Sequence, residues 1–465
     1  MKILLIVPKE VITDGTEMFP SGAMLLIGTM VKNKGHEVKI LHMTADNLTI
    51  EDLTYQVKEF APEIVGITVN TYQVRSAKEI SKAIKDVSKN IMIVMGGPHL
   101  SAMQMESTNV FPHSDVIVFG EGENTFLEIV EGRDFRDIRG INYIGGRNPA
   151  RSPALDLDYI PLPDLDLVGP ISKYTGVHFK KSSPSMFMMG SRGCPFRCVY
   201  CNTSVWGNKV RSRKPEHIIE EIKYLHKQHG IREIYFQDDT FNLNRSWAEE
   251  VFNLIIKNKL NKDIYYKTPF RANKKLVDLE LLSLAKEANF WCLFYGVENG
   301  DQGMLDNMEK GLKIDEIKRA FDLTHKVGIK TVASFMIGNI GETKETVNKS
   351  IQLMKRIKPY YSGFGIAIPF PGTAFREELI KKNHLRDVSY DDYSSKICVI
   401  RTDELSSKEI ENLNIKANLL ATIYSPGKWI SFIERVLKHP VQFSTYLIKR
   451  LLNSKNIISN LNRLS

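Results

Sequence analysis

The chain is poor in cysteine and has no long apolar run, and both shortages limit what it can be. Five cysteines in 465 residues are too few for a secreted disulfide scaffold and indicate a reducing compartment. No apolar stretch approaches the roughly 20 residues that a membrane-spanning helix needs, and the apolar start Met1–Pro8 is too short for a signal peptide. We therefore expect a cytoplasmic protein whose first residues form a buried strand.

The composition is otherwise that of an ordinary folded chain. A length of 465 residues predicts two or three domains. The net charge of +9 favours either lysines scattered over solvated faces or an anionic partner. Because the sequence contains no basic–aromatic stripe and no appended RNA-binding barrel, nucleic acid is not an expected partner.

Three of the five cysteines lie within eight positions, at Cys194, Cys198 and Cys201. They follow a predicted strand, Ser185–Gly190, and a short turn. Three thiolates can bind three irons of a four-iron, four-sulfur cluster. The fourth iron then stays open, as one position does in catalytic metal sites. The alternative, a zinc site, usually takes four ligands from two separated pairs, and this sequence has no second pair.

The C-x3-C-x2-C spacing, with Tyr200 before the last cysteine, resembles that of the radical S-adenosylmethionine (SAM) enzymes. The resemblance implies that these cysteines bind a 4Fe–4S cluster and that SAM chelates the open iron. It also implies a 5′-deoxyadenosyl radical that abstracts hydrogen, and an external electron donor of the flavodoxin or ferredoxin type. Cys292 and Cys398 are too few for an auxiliary all-cysteine cluster, and we expect both in the core.

Residues 185–375 alternate six predicted strands with helices, which predicts a partial (β/α)6 barrel with its chemistry at the strand carboxyl ends. Gln237, Asp238 and Asp239 end the second of these strands. Adjacent strand residues point to opposite faces, so one aspartate should face the barrel mouth and the other should cap the next helix. In the family this position binds the SAM ammonium group, a role that stays open among the three residues.

Two further segments resemble SAM-binding segments of the family. Tyr295–Gly300 resembles G-x-E-[ST]-G with asparagine at the hydroxyl position, which makes Glu298 a ligand for the SAM ribose or a turn carboxylate. Gly338–Thr343 resembles G-x-P-G-E-T with isoleucine at the proline position, which implies that Gly338 lies along the adenine. Arg271, at the end of the third strand, either pairs with the SAM carboxylate or forms a structural ion pair.

Residues 1–145 alternate short apolar runs with helical patterns, which predicts a Rossmann-like parallel sheet with its ligand crevice at the strand carboxyl ends. Glycines at those ends resemble the cobalamin-binding domain that precedes many radical SAM modules. The candidate cobalamin contacts are Thr68, Thr71, Gly96, Gly97, His99, Gly120, Glu121 and Gly122. The D-x-H-x-x-G motif is absent, so we expect His99 to contact the corrin or its tail and not the cobalt. The alternative is a retained fold that holds no cobalamin.

Residues 146–184, rich in proline and aspartate, are a predicted linker, and residues 376–465 a predicted helical region. The apolar positions from Trp429 to Leu437 follow a helical repeat. From Ser425 onward the sequence has seven basic residues and a single acidic residue. This terminus is a solvated surface, a cover over the barrel mouth, or an amphipathic segment on an anionic membrane. The last interpretation suits a membrane-associated enzyme with a lipid-like or porphyrin-like substrate.

Together these patterns resemble a class B, cobalamin-dependent radical SAM enzyme. The reaction that the resemblance implies is methylation of an unactivated carbon in a small molecule or lipid-like substrate. One alternative is a cobalamin-bearing cyclase or rearrangement enzyme that transfers no methyl group. Another is a sensor that binds cobalamin or the cluster without catalysis. No motif identifies the substrate or a substrate-activating catalytic residue.

Overall fold

The computed structural model describes residues 1–9, 19–103, 110–174, 176, 179–393 and 397–430. Two sheets organise these residues, one before and one after residue 150. The helices and strands of the first part are β1 Lys2–Val7, α1 Gly22–Asn33, β2 Glu37–His42, α2 Ile50–Phe60, β3 Ile64–Thr68, α3 Val74–Val87, β4 Met92–Gly96, α4 Pro98–Met103, β5 Val116–Val118, α5 Glu123–Val130, β6 Ile141–Tyr143 and β7 Gly146–Arg147. Those of the second part are β8 Ser185–Met188, β9 Ser191–Arg192, β10 Arg211–Ser212, α6 Pro215–His229, β11 Glu233–Phe236, α7 Arg245–Lys257, β12 Tyr265–Phe270, α8 Leu279–Glu287, β13 Phe290–Glu298, α9 Gln302–Asn307, α10 Ile314–Lys326, β14 Lys330–Ile337, α11 Lys344–Ile357, β15 Tyr361–Ile366, α12 Ala374–Lys381 and α13 Ser407–Tyr424.

The N-terminal sheet has the strand order β2-β1-β3-β4-β5-β6-β7. Strands β1 to β5 pair in parallel, and β6 and β7 add an antiparallel edge. Strand β1, which lies between β2 and β3, is apolar because both of its faces are covered, as parallel sheets require. Leu4 and Ile6 pack into one hydrophobic cluster with α2 and α3, whereas Ile3 and Leu5 pack into another with α1 and α5.

The second sheet has the order β8-β11-β12-β13-β14-β15, and all of its neighbouring pairs are parallel. The six strands form at the predicted positions and in chain order. Helix α6 begins at Pro215, whose fixed φ suits a first helical residue, and ends at Gly230 in the left-handed conformation, with φ +65. The same apolar cluster extends from α1 and α5 through this sheet, so the two parts share a core.

The linker is a packed layer along α1. The Asp164 backbone N–H donates to Thr29 Oγ1 at 3.0 Å, and the Asp164 carboxylate lies 2.5 Å from Lys32 Nζ. Leu165 and Val168 are buried in the shared core. Residues 146–184 therefore do more than connect two sheets, although their described regular structure is limited to the two-residue strand β7 and two short 3-10 helices.

The C-terminal region continues from the barrel as α13, which packs on β15 and α11. Ser406 caps this helix together with Glu409, and the Asn414 and Asn418 side chains each donate to the Phe364 carbonyl at 2.8 Å. The predicted amphipathic helix from Trp429 to Leu437 lies outside the described residues beyond Ile430, as do six of the seven basic residues that follow Ser425. Within the described ranges, no helix is both long and apolar enough to cross a membrane.

Candidate active site

The carboxyl ends of both sheets open into one cavity of about 830 Å³. The N-terminal sheet contributes the residues that follow β3, β4 and β5, and the barrel contributes those that follow β8 and β11. The linker forms a third wall through Leu157, Ile160 and Pro161. Parallel sheets place ligands at this edge, and the volume is that of a small-molecule site.

The three cysteines lie on a loop, residues 193–210, that begins and ends at the short ladder of β9 and β10. Arg192 pairs with Arg211 in this antiparallel ladder. Gly193 has φ +89, and an added Cβ would collide with the Lys209 carbonyl oxygen, so only glycine fits here. The ladder and this turn together fix both ends of the cysteine loop.

Cys194 and Cys201 line the cavity, and all three cysteines of the loop are free thiols. Burial, together with the nearby Cys198, Asp239 and Cys194, raises the pKa of the Cys201 thiol to about 11. Iron binds the thiolate and would displace that proton. In the part of the chain that the structure describes, no three His, Cys, Asp or Glu side chains are grouped for a single metal ion. Three sulfurs that each bind a different iron need no such group, so the loop is compatible with a cluster.

Asp238 and Asp239 both turn toward the cysteine loop. Asp238 accepts hydrogen bonds from the Gly190 N–H at 3.2 Å and the Ser191 hydroxyl at 2.5 Å, and burial raises its pKa to about 6. Asp239 accepts from the Gly193 N–H at 3.1 Å and lines the cavity beside Gln237. The expectation that one aspartate caps the next helix is wrong, because Asn244 caps α7. Asp238 does not line the cavity, and its oxygens hold the start of the loop.

Arg271, a candidate for the SAM carboxylate, packs against the back of the cysteine loop. Its guanidinium carbon lies 3.3 Å from the centroid of the Phe196 ring. Its Nε donates to Asn273 Oδ1 at 2.6 Å, and one of its Nη atoms donates to the Lys310 carbonyl. Arg271 does not line the cavity. Arg271 thus stacks on a ring and donates to neutral acceptors, and among the described residues it does not form the ion pair that the sequence suggested.

Lys310 is a residue that the sequence analysis missed. Its Nζ lies 3.0 Å from Glu298 Oε1 and 3.2 Å from the Tyr200 hydroxyl, and its charge lowers the pKa of Cys201 against the effects that raise it. Glu298 follows a β-bulge and has φ +64, which turns its carboxylate toward Lys310. No spacing rule links residues 200 and 310, so the sequence offered no signal for this contact.

Gly338 lies behind the cavity wall. It has φ +100, and an added Cβ would lie 3.2 Å from Ile410 of α13. Its N–H donates to Glu342 Oε2 at 2.5 Å, and Asn299 Nδ2 donates to Glu342 Oε1 at 2.7 Å. Asn299 thus uses the position of the family's hydroxyl residue to tie β13 to β14. Burial raises the pKa of Glu342 to about 7 despite these donors.

The N-terminal edge of the cavity is rich in glycine. Thr68, Thr71 and the four candidate glycines all line it. Gly97 has φ +116, and an added Cβ would lie 2.9 Å from the Val69 backbone. Gly120 has φ +81 and open space where a Cβ would stand. The cavity also reaches Gly66 and Phe126, between the sheet and α5. An open edge with an apolar recess suits a broad ring system with a flat tail, which is the shape of cobalamin.

His99 and Glu121 are not the simple contacts that we expected. His99 is 1% exposed and does not line the cavity. Its Nδ1 lies 3.2 Å from Thr71 Oγ1, and its ring lies 4.8 Å from that of Tyr390, so it packs behind the edge. Burial lowers its pKa to about 4. Glu121 lines the cavity, but its carboxylate is engaged by Arg192 and Arg211 of the ladder.

Cys292 and Cys398 are both fully buried, as expected of core residues. The barrel, its three-cysteine loop and the glycine-edged sheet across the cavity define a radical SAM protein with a cobalamin-type domain. The Radical SAM superfamily profile matches residues 188–354, and the B12 binding domain profile matches residues 11–130.

Curated relatives align with most of the chain. An uncharacterized methyltransferase of Pyrococcus horikoshii is 33% identical over 97% of this chain and 97% of its own. An anaerobic magnesium-protoporphyrin IX monomethyl ester cyclase of Rubrivivax gelatinosus is 27% identical, covering 84% and 71%. A cytidylyl-2-hydroxyethylphosphonate methyltransferase of Streptomyces wedmorensis is 25% identical, covering 77% of each chain. The chain belongs to the radical SAM superfamily, among the members that carry a B12-binding domain.

Solved structures share the fold. The methyltransferase TsrM of Kitasatospora setae, with cobalamin and a 4Fe–4S cluster bound, matches 82% of this chain and 75% of its own, with TM-score 0.66 and 20% identity. The cobalamin-dependent radical enzyme OxsB, with aqua-cobalamin and SAM bound, matches 91% and 61%, with TM-score 0.66 and 18% identity. The predicted fold class is confirmed, and family membership confirms the cluster, SAM and cobalamin as the expected cofactors.

Proposed function

We propose that the protein is a cobalamin-dependent radical SAM methyltransferase that acts on an unactivated carbon of a small molecule. The observation that carries this proposal is the shared cavity, because the cysteine loop and the glycine edge face the same space. When bound, the cofactors supply a hydrogen-abstracting radical and a transferable methyl group. A substrate between the two edges would meet both.

The residues of this chain have distinct roles in the proposal. Cys194, Cys198 and Cys201 hold the cluster. Asp239, with Gln237 beside it, faces the cavity and binds the SAM ammonium group, since a carboxylate is a strong partner for a partly desolvated cation. Lys310, whose charge acts on Cys201, binds the SAM carboxylate. The backbone at Gly97 and Gly120 receives the corrin.

We propose a substrate with a sizeable apolar part. Phe187, Trp206 and Ile160 line the cavity from the barrel, the cysteine loop and the linker, and these side chains exclude water from the space between the edges. The electron donor in the proposal is a flavodoxin or ferredoxin. Both partners follow from the cofactor chemistry and the lining, and no motif names the substrate itself.

Product analysis tests the methyl-transfer proposal. The reconstituted, reduced protein is incubated anaerobically with candidate substrates and SAM labelled in its methyl group. Methylation should form S-adenosylhomocysteine and 5′-deoxyadenosine together and place the label in the product. A protein that cleaves no SAM under these conditions would instead be a sensor.

A cyclase is the second candidate, and one observation favours it: a relative that covers 84% of this chain is named as a cyclase. Such an enzyme should form 5′-deoxyadenosine without S-adenosylhomocysteine. Unlabelled, cyclised product from the same incubation would therefore replace the methyltransferase proposal.

We also propose a peripheral membrane contact through α13. Ile415, Leu419 and Ile423 lie four residues apart on this helix and are 56%, 57% and 59% exposed, and Trp429 and Ile430 follow them. A stripe of this kind can lie in a lipid interface. Sedimentation with vesicles that contain anionic lipid should retain the protein, and Leu419→Glu should release it. Equal sedimentation with and without vesicles would remove this proposal.

A further inference from the structure

A buried ion cluster joins the two edges of the cavity. Glu121 Oε1 lies 3.1 Å from an Arg192 Nη and 2.8 Å from an Arg211 Nη, and Glu123 Oε1 lies 2.6 Å from the other Arg192 Nη. All four side chains are less than one-tenth exposed. The carboxylates belong to the N-terminal sheet, whereas the arginines belong to the ladder of the barrel. The cluster therefore crosses the interface between the two parts.

Both ends of this cluster adjoin a cofactor site. Glu121 lies between Gly120 and Gly122, whose backbone lines the cavity on the cobalamin side. Arg192 directly precedes Gly193 and Cys194, and Arg211 follows the cysteine loop. Glu121 contacts Arg192 at the start of the loop and Arg211 at its end, so ion pairs link the corrin edge to both ends of the loop. A displacement of one edge would strain or break ion pairs that are largely withdrawn from solvent.

We propose that Glu121 is a positioning residue that couples the two cofactor sites, so that loading the cysteine loop with its cluster strengthens cobalamin binding. Coupling free energies are reciprocal, so bound cobalamin also retains the cluster more firmly. The inference rests on the cofactor assignment made above and does not depend on methyl transfer. It gives Glu121 a different role from the direct cobalamin contact that the sequence suggested.

The experiment measures cobalamin affinity without turnover. The dissociation constant of hydroxocobalamin is determined by anaerobic absorption titration for the full chain with its cluster reconstituted and for the same chain without iron. In the wild-type protein we expect binding to be roughly 5- to 150-fold tighter with the cluster, the range typical of coupled sites. In Glu121→Gln, which keeps the shape but loses the charge, we expect the ratio to fall to about one.

Two further variants separate coupling from general loss of structure. Glu233→Gln changes a fully buried carboxylate that pairs with Lys267 and accepts from the Lys181 and Ser182 backbone N–H groups, all away from the cavity lining, and it should keep the wild-type ratio. Arg192→Lys keeps the positive charge but can reach one carboxylate at a time, and it should give an intermediate ratio. If Glu121→Gln does not fold, the ratio measured in Arg192→Lys still tests the coupling.

The reciprocal effect gives a second readout. The fraction of iron retained at equilibrium against a fixed chelator concentration should rise when hydroxocobalamin is present in the wild type and should be unchanged by it in Glu121→Gln. A wild-type ratio of one, or a full ratio in both Glu121→Gln and Arg192→Lys, overturns the coupling. If the protein binds no cobalamin at all, the cofactor assignment on which the coupling rests is wrong.

Discussion

The two edges that face the cavity are built by different means. The barrel edge presents side chains with specific chemistry, such as Cys194, Cys201 and Asp239, whereas the opposite edge presents backbone at Gly97 and Gly120. A small, reactive group is held by ligand atoms at defined positions, so its site depends on residue type. A broad ring system is held by shape, so its site depends on residues that leave room. The two edges should therefore fail in different ways when they are mutated.

The largest effect should come from the ligand edge. Cys198→Ala removes one iron ligand, so we expect loss of the cluster's visible absorbance and complete loss of SAM cleavage. Cys292→Ala is the matched control, because this buried core cysteine lies outside the loop. It should keep the cluster and lose only stability, by about 1–2 kcal/mol for the small cavity it creates. A cluster that persists in Cys198→Ala would contradict the assignment.

The second-largest effect concerns the same edge of the cavity. Lys310→Met removes the cation beside Tyr200 and Glu298, and we expect SAM to bind roughly 10- to 100-fold more weakly, the cost of a lost charged hydrogen bond. Titration calorimetry with the reconstituted protein measures this. Lys318→Met, which removes an exposed ion pair on α10, should leave SAM affinity unchanged. Equal SAM affinities in the two variants would show that a residue other than Lys310 binds the SAM carboxylate.

The glycine edge can be broken without touching any ligand atom. Gly120→Ala places a methyl group in the cavity, and we expect cobalamin affinity to fall about tenfold while cluster content stays normal. Gly132→Ala is its control, because Gly132 also has a positive φ, +75, and open space around the added Cβ, but lies away from the cavity. Both variants should lose about 1–2 kcal/mol of stability from the left-handed backbone. Only the first should bind cobalamin more weakly.

The smallest expected effect is a pH dependence of stability that has opposite signs in the two parts. The pKa of His99 is lowered to about 4, so its stabilising contribution is present above the unfolded value of 6.5 and is lost as the pH falls toward 4. The pKa of Glu342 is raised to about 7, so its contribution is present below 4.5 and is lost as the pH rises through 7. Each corresponds to about 1.4 kcal/mol per pH unit inside its window.

Acidification from pH 7.5 to 5.5 should therefore loosen the N-terminal sheet and tighten the barrel. Hydrogen exchange, resolved by peptide and corrected for intrinsic rates, can measure both trends in one sample. His99→Asn keeps a partner for Thr71 but cannot titrate, and it should weaken the N-terminal trend without touching the barrel trend. The remainder comes from His42, whose pKa burial also lowers to about 4. Parallel trends in both parts, in the wild type and this variant, would show that other groups dominate.

Much of this arrangement could be predicted from sequence because it is local. The apolar runs predicted β1 to β5 and the six strands of the second sheet, but not the short antiparallel edge of β6 and β7. The spacing of Cys194, Cys198 and Cys201 predicted the loop. The glycines after β4 and β5 marked the opposite edge because each follows its strand directly. Such features depend on a few consecutive residues and on the direction of a parallel strand.

The remaining features depend on contacts between distant residues. Lys310 meets Tyr200, and Glu121 meets Arg192 and Arg211, only after the two sheets have packed. His99 follows the glycines in sequence, yet α4 turns its ring behind the edge toward Tyr390. A motif shows which residues are near a site, but not which of them face it, because side-chain direction is set by the final packing.

The linker wall has a consequence for anyone who recombines these proteins. Leu157, Ile160 and Pro161 border the cavity, and Asp164 is bonded to α1 of the N-terminal part. A chimera that exchanges residues 1–145 for those of a relative would keep a foreign wall between its two halves. The exchangeable module is therefore longer than the sheet, and a crossover placed after residue 174 would carry the wall along with the helix that supports it.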